Sequence, residues 1–177
     1  MKKINNYFLV AALIATSFVF GCKDKDKDEA TPASNGSATI SGIIKFDFNT
    51  ANDTVAGGTT FPTAGPATYE ALPTGIVLTA TINTADLVLN PDPNVNYPNK
   101  EYRTTVDATT GAYSFTIDAN ENPVNVNIKT GQFRHDKTVA SGTNFRSSTT
   151  TNVIYAEQTV ANTTVVNGDV KIIDAQF

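Results

Sequence analysis

The stretch YRTTVDATTGAYSFTIDA, Tyr102 to Ala119, decides the fold. Glu101 to Val106 reads as an extended strand. Thr109-Thr110-Gly111 turns the chain, and Ala112 to Asp118 continues with Tyr113, Phe115 and Ile117 at alternate positions. Strand side chains point to opposite faces with a period of two, so this spacing lines up three bulky apolar groups on one buried face. Gly111 supplies the conformational freedom of the tight turn.

The same period recurs on both sides of this segment. Ala38 to Phe48 places Ile40, Ile44, Phe46 and Phe48 on one face. Gly75 to Thr84 alternates Ile76, Leu78, Ala80 and Ile82 with Val77, Thr79, Thr81 and Asn83, and Val124, Val126 and Ile128 repeat the pattern. Val153 to Val160 reads as one further strand. Thr163 to Val166 and Asp169 to Asp174 flank Asn167-Gly168, a two-residue hairpin signal because both residues tolerate positive φ. No long stretch keeps apolar residues at helical spacing, and only Thr84 to Leu89 could form a short helix. About seven short alternating strands predict an all-β chain folded as an antiparallel β-sandwich over residues 38–177, with a closed barrel as the alternative. Two turn-rich stretches, Asn49 to Pro73 and Asn90 to Asn99, are either binding surfaces or tolerated insertions.

Three segments, ISGIIKFD (Ile40 to Asp47), LPTGIVLTATI (Leu72 to Ile82) and Tyr102 to Ala119, resemble the carboxypeptidase regulatory-like, or transthyretin-like, β-sandwich domains found on envelope proteins of the Bacteroidetes. The final GDVKIIDAQF suits the closing strand of such an Ig-like sandwich. The resemblance implies a domain that stabilises or connects other domains, binds partners or presents loops, and that is not catalytic. Asn49 to Pro73 is longer than the family's usual connection, and Gly131 to Asn152 has no clear counterpart in it.

The first residues, MKKINNYFLVAALIATSFVFGC, have a basic start at Lys2 and Lys3, an apolar run from Tyr7 to Phe20, and Gly21-Cys22. The run is shorter than the ~20 residues of a membrane-spanning helix, so residues 1–21 read as a signal peptide. Val19 to Cys22 resembles the bacterial lipobox, which implies cleavage before Cys22 and acyl chains on its sulfur and new amino terminus. Several acyl chains anchor stably where one does not. The alternative is that Cys22 merely ends the apolar run. Residues 22–37 then form a charged tether, KDKDKDEATPASNGS, too polar to enter a core. Lys23 after the Cys implies outer-membrane sorting. The charged run resembles surface-export signals of Bacteroidetes lipoproteins, so surface display ranks ahead of a periplasm-facing position.

The net charge of −4 argues against nucleic acid and against electrostatic adhesion to anionic lipid. Cys22 is the only cysteine, so no intrachain disulfide forms. His135 is the only histidine, read here as a surface residue, and no Gly-x-Ser-x-Gly elbow occurs. Acidic residues are scattered without a spacing that selects a catalytic pair. The chain has no Trp, leaving Tyr69, Tyr97 and Tyr102 as candidate platforms for a ligand such as a glycan. Calcium is the one cofactor the residues suggest, through Asp47, Asn49 and Asp53. Turn formation explains the same residues without an ion. The reading that emerges is a lipid-anchored, non-enzymatic accessory subunit of an envelope complex. An extracellular ligand-binding module, with glycan as its candidate ligand, is the alternative.

Overall fold

Alternation of apolar and polar residues builds most of the strands seen in the computed structural model, which describes residues 36–55, 63–141 and 147–177. The signal peptide, Cys22 and nearly all of the tether lie outside the described residues. β1 is Gly36–Phe46, followed by three two-residue strands, β2 Thr54–Val55, β3 Thr63–Ala64 and β4 Glu70–Ala71. β5 is Val77–Asn83, then comes a single 3₁₀ turn, Thr84–Leu87. The longer strands continue with β6 Asn99–Thr105, β7 Ala112–Ala119, β8 Val124–Thr130, β9 Phe133–Ser141 and β10 Ser147–Tyr155. β11 Thr159–Val165, β12 Val170–Ile172 and β13 Ala175–Gln176 complete the chain.

The fold is an all-β sandwich. One sheet runs β11-β8-β5-β6 with every neighbour antiparallel. The other is organised around β1, with β7 and β4 antiparallel on one side and β12 and β13 parallel on the other. Between them lie Ile40, Ile44, Leu72, Leu78, Ile82, Ile117, Val124, Val126, Ile128 and Val165, all buried. Burial of each such side chain is worth about 1.5–3 kcal/mol relative to exposure, which makes this aliphatic layer the main source of cohesion.

The opening segment forms a corner between the sheets. β6 belongs to one sheet and β7 to the other, and Asp107 organises the turn. Its Oδ1 accepts from Thr109 N (3.0 Å), Thr110 N (2.7 Å) and the Thr110 hydroxyl (2.8 Å). Gly111 sits at φ +78, and a Cβ there would lie 2.4 Å from the Ile44 carbonyl oxygen, so only glycine fits.

Asn167-Gly168 behaves differently from the hairpin expected of it. Gly168 has positive φ, as that signal requires, but β11 and β12 do not pair; the turn carries the chain from one sheet to the other. β1 holds the turn through backbone and side-chain hydrogen bonds. Gly168 N donates to Ser37 O (2.9 Å), Thr39 N to Asp169 O (2.8 Å) and Ser37 N to Asn167 Oδ1 (3.2 Å).

Strand boundaries also differ from those expected. Val153 to Val160 is not one strand: β10 ends at Tyr155 and β11 begins at Thr159, with Gln158 and Thr130 exchanging hydrogen bonds at the break. Gly131 to Asn152, which matched nothing, contributes most of a β9–β10 hairpin. That hairpin continues the line of β1, since Thr138 N donates to Phe48 O (2.8 Å) and Thr50 N to Thr138 O (3.0 Å). β1 itself begins at Gly36, inside the range assigned to the tether.

Candidate functional site

The residues expected to bind calcium sit where β1 leaves the sheet. Asn49 Oδ1 accepts from Ala51 N (3.1 Å) and Asp53 Oδ1 from Thr68 N (2.5 Å), both in local turns. Glu70 clamps the same loop, accepting from Phe48 N (2.9 Å) and from the Asn52 amide (2.8 Å). Asp47 is the exception: its Oδ1 is shielded from solvent and has no hydrogen-bond partner. Burial raises the Asp47 carboxyl above its ordinary range, and repulsion from Asp53 and Glu70 adds to the rise, while Lys137 opposes it. Among the described residues no three His, Cys, Asp or Glu gather closely enough to hold a metal ion.

Around Asp47 the molecule changes character from aliphatic to aromatic. Phe46 meets Phe133 at 5.4 Å and Tyr155 at 5.9 Å, both edge to face, and Phe177 at 5.0 Å. Phe133 and Tyr155 stack at 5.1 Å, and Phe48 lies edge-on to Tyr155 at 5.2 Å. Each such pair adds about 0.5–1.5 kcal/mol beyond area burial. His135, expected at the surface, is half-buried with its ring 4.4 Å from Phe48. A pocket of about 400 Å³ opens here, lined by Phe46, Asp47, Lys137, Tyr155, Gln158 and Phe177. Among the described residues the Tyr155 hydroxyl is the second buried polar side-chain atom without a partner, and burial raises its pKa. An unpaired buried donor or acceptor costs about 1–3 kcal/mol, so this wall holds hydrogen-bonding capacity that the described residues do not use.

The three expected tyrosine platforms are not joined by any hydrogen bond or ring contact among the described residues. Tyr97 accepts from Asp92 N (3.0 Å) within its own loop. Tyr102 accepts from Asp118 N (3.1 Å) and carries the Lys100 ammonium 5.2 Å over its ring, which ties β6 to β7. Tyr69 precedes β4 and is half-buried. Tyr155 and Phe177 were missed because the strands that bring them to Asp47 are far apart in the chain. The only available signal was the four aromatic residues Phe46, Phe48, Phe133 and Tyr155 at strand ends.

A second feature lies on the opposite margin of β1. Among the described residues β12 pairs only with β1, and its side chains Val170 and Ile172 are 73% and 76% exposed. They stand on the outer face of the sheet beside Thr39 and Ser41, with Ile43 nearby at 42%. Beside them on that face stand Ser114 and Thr116 on β7, both small and polar. Three branched apolar groups at one margin are the most water-averse patch of this sheet.

Comparison with known proteins finds no matching family model, no matching curated protein and no matching solved structure.

Proposed function

We propose that the chain is a lipid-anchored, non-enzymatic β-sandwich held at the outer membrane, where it serves as an interaction or accessory subunit of an envelope complex. The anchor follows from Cys22 and the sequence around it. The observation that supports a protein partner is the exposed apolar margin formed by Ile43, Val170 and Ile172. Exposed apolar side chains beside an open strand mark association sites.

A photoreactive side chain at position 172, displayed on intact cells of the native host, tests this reading. It should yield one discrete adduct that disappears when Val170 is changed to Lys. The same probe at Thr116, on the small polar part of the face, should yield none. Equal, diffuse labelling from both positions would remove the interaction reading.

The pocket beside Asp47 supports a second reading as an extracellular ligand-binding module. Aromatic walls combined with Asp47, Lys137 and Gln158 suit a neutral polyhydroxylated ligand such as a glycan, because each hydroxyl both donates and accepts. Glycan binding that survives Tyr155→Phe and Gln158→Ala unchanged would exclude this pocket.

A further inference from the structure

We infer that β12 is a docking edge for an extended strand of a protein partner, and that Lys171 keeps the neighbouring edge strand β11 from competing for it. The inference rests on the interaction reading above and adds the mode of recognition. In the parallel ladder with β1, Thr39 N donates to Asp169 O and Ile173 N donates to Ser41 O. Parallel pairing engages alternate residues of a strand, so Asp169, Lys171 and Ile173 face β1. The N–H and C=O groups of Val170 and Ile172 therefore point away from the sheet, at the side where β12 has no strand partner among the described residues.

Those four backbone groups alternate as donor and acceptor, and another extended backbone is the chemistry that matches them. The side chains define the partner further. Val170 and Ile172 both lie on the outer face, so the added strand must carry apolar residues at alternate positions to cover them. A second copy of this chain fits poorly. Its own open edge is only three residues long, because the ladder is interrupted at Ile173-Asp174, where Asp174 Oδ1 accepts from Ile43 N (2.7 Å).

The other strand at this margin is treated differently. Among the described residues β11 pairs only with β8, so it too is an edge there. Lys171 reaches across from β12, donating to the Thr164 carbonyl and lying 3.4 Å from the Thr163 hydroxyl. A lysine ammonium on a strand edge opposes addition of another strand, since the incoming backbone would have to displace and desolvate the charge. One strand of the pair is guarded, and the other is left open with apolar side chains.

The test uses the full chain in detergent micelles and an octapeptide that alternates Thr and Val between terminal Lys residues. Hydrogen exchange is read at the Val170 and Ile172 amides. Peptide at millimolar concentration should slow exchange at both by about tenfold or more, as expected of amides drawn into a ladder. A twin peptide N-methylated at alternate residues on its pairing edge should have no effect. Ile172→Pro, which keeps an apolar side chain but removes one outward N–H, should abolish protection at Val170. Protection that also appears with the methylated peptide, or none with the parent peptide, overturns strand pairing. Concentration-dependent protection without peptide overturns it in favour of self-association. A discrete adduct at position 172 on cells, combined with failure here, would leave the partner reading standing and remove only strand addition.

Discussion

Two tyrosines separate the middle of this sandwich from its end. Tyr113, in the middle, donates its hydroxyl to Ile173 O at 2.7 Å, and burial pushes its pKa up to about 12. Tyr155, at the end, is fixed by rings on several sides and has no partner for its hydroxyl. The middle is assembled from strands whose inward residues are mostly aliphatic, with Tyr113 and Phe115 the aromatic exceptions on β7, and the Tyr113 hydroxyl is matched there. The end is assembled from Phe46, Phe48, Phe133, Tyr155 and Phe177, and ring packing dictates where the polar atoms fall. Stacking fixes geometry without regard to hydrogen bonding, and unmet polar capacity concentrates beside the pocket at Asp47.

The most severe way to break this contrast is to hollow out the middle. Ile117→Ala, at a fully buried position, should cost about 2–5 kcal/mol and lower the stability of both sheets together. Hydrogen exchange should show β1, β5 and β8 losing protection in parallel. If only β7 loosened, the two sheets would not share one cooperative core.

A smaller loss is expected at the β12 margin. A Cβ at Gly42 would stand 1.9 Å from the Ile173 carbonyl oxygen, so Gly42→Ala must push the β12–β13 junction off β1. The expected cost is about 1–3 kcal/mol, with early loss of protection at Lys171 and Ile173 while the β9–β10 hairpin stays protected. Uniform destabilisation of the hairpin would show that margin and aromatic end form one unit.

The tyrosines give the sharpest comparison. Tyr113→Phe should cost about 1 kcal/mol by removing a made hydrogen bond, whereas Tyr155→Phe should be neutral or stabilising by up to about 1 kcal/mol. Denaturant midpoints of the two variants would measure the difference. Equal losses would mean that the Tyr155 hydroxyl is satisfied after all.

The smallest effects are those of pH, and two aspartates carry opposite signs. Asp47 is held above its ordinary range by burial and then by Asp53 and Glu70, so its charge opposes folding. That penalty is complete above its folded pKa and is relieved as pH falls through that value toward the unfolded one. Asp107 is held below its ordinary range by the Thr110 N–H and hydroxyl and by Thr109 N–H. Its contribution is present above the unfolded pKa and is lost as pH falls through the folded one. Thermal unfolding across the acid range should show Asp47→Asn losing an acid-side gain and Asp107→Asn losing an acid-side loss. Identical pH profiles for the two variants would contradict the contrast.

Most of the sandwich was legible in the chain because its strands bury one face. Ile40 and Ile44 in β1, Leu78 and Ile82 in β5, Phe115 and Ile117 in β7, and Val126 and Ile128 in β8 all keep a period of two. β9 and β10 were not legible, apart from the end of β10 at residues 153–155. Beyond Phe133 and Tyr155 the hairpin is exposed or only partly covered on both faces, so nothing forces apolar and polar residues to alternate. The candidate site was half legible: Asp47 stood out as a carboxylate in a turn, while Tyr155, Lys137 and Gln158 carry no local sign of belonging beside it.

By itself the sequence determined the all-β class, the strand alternation and the turn at Gly111, because these depend on side-chain period and local backbone freedom. Only the tertiary structure decided that Asn167-Gly168 crosses between sheets, that β12 and β13 run parallel to β1, and that five aromatic residues meet beside Asp47. Those outcomes depend on contacts between residues far apart in the chain, which no local period or turn signal encodes.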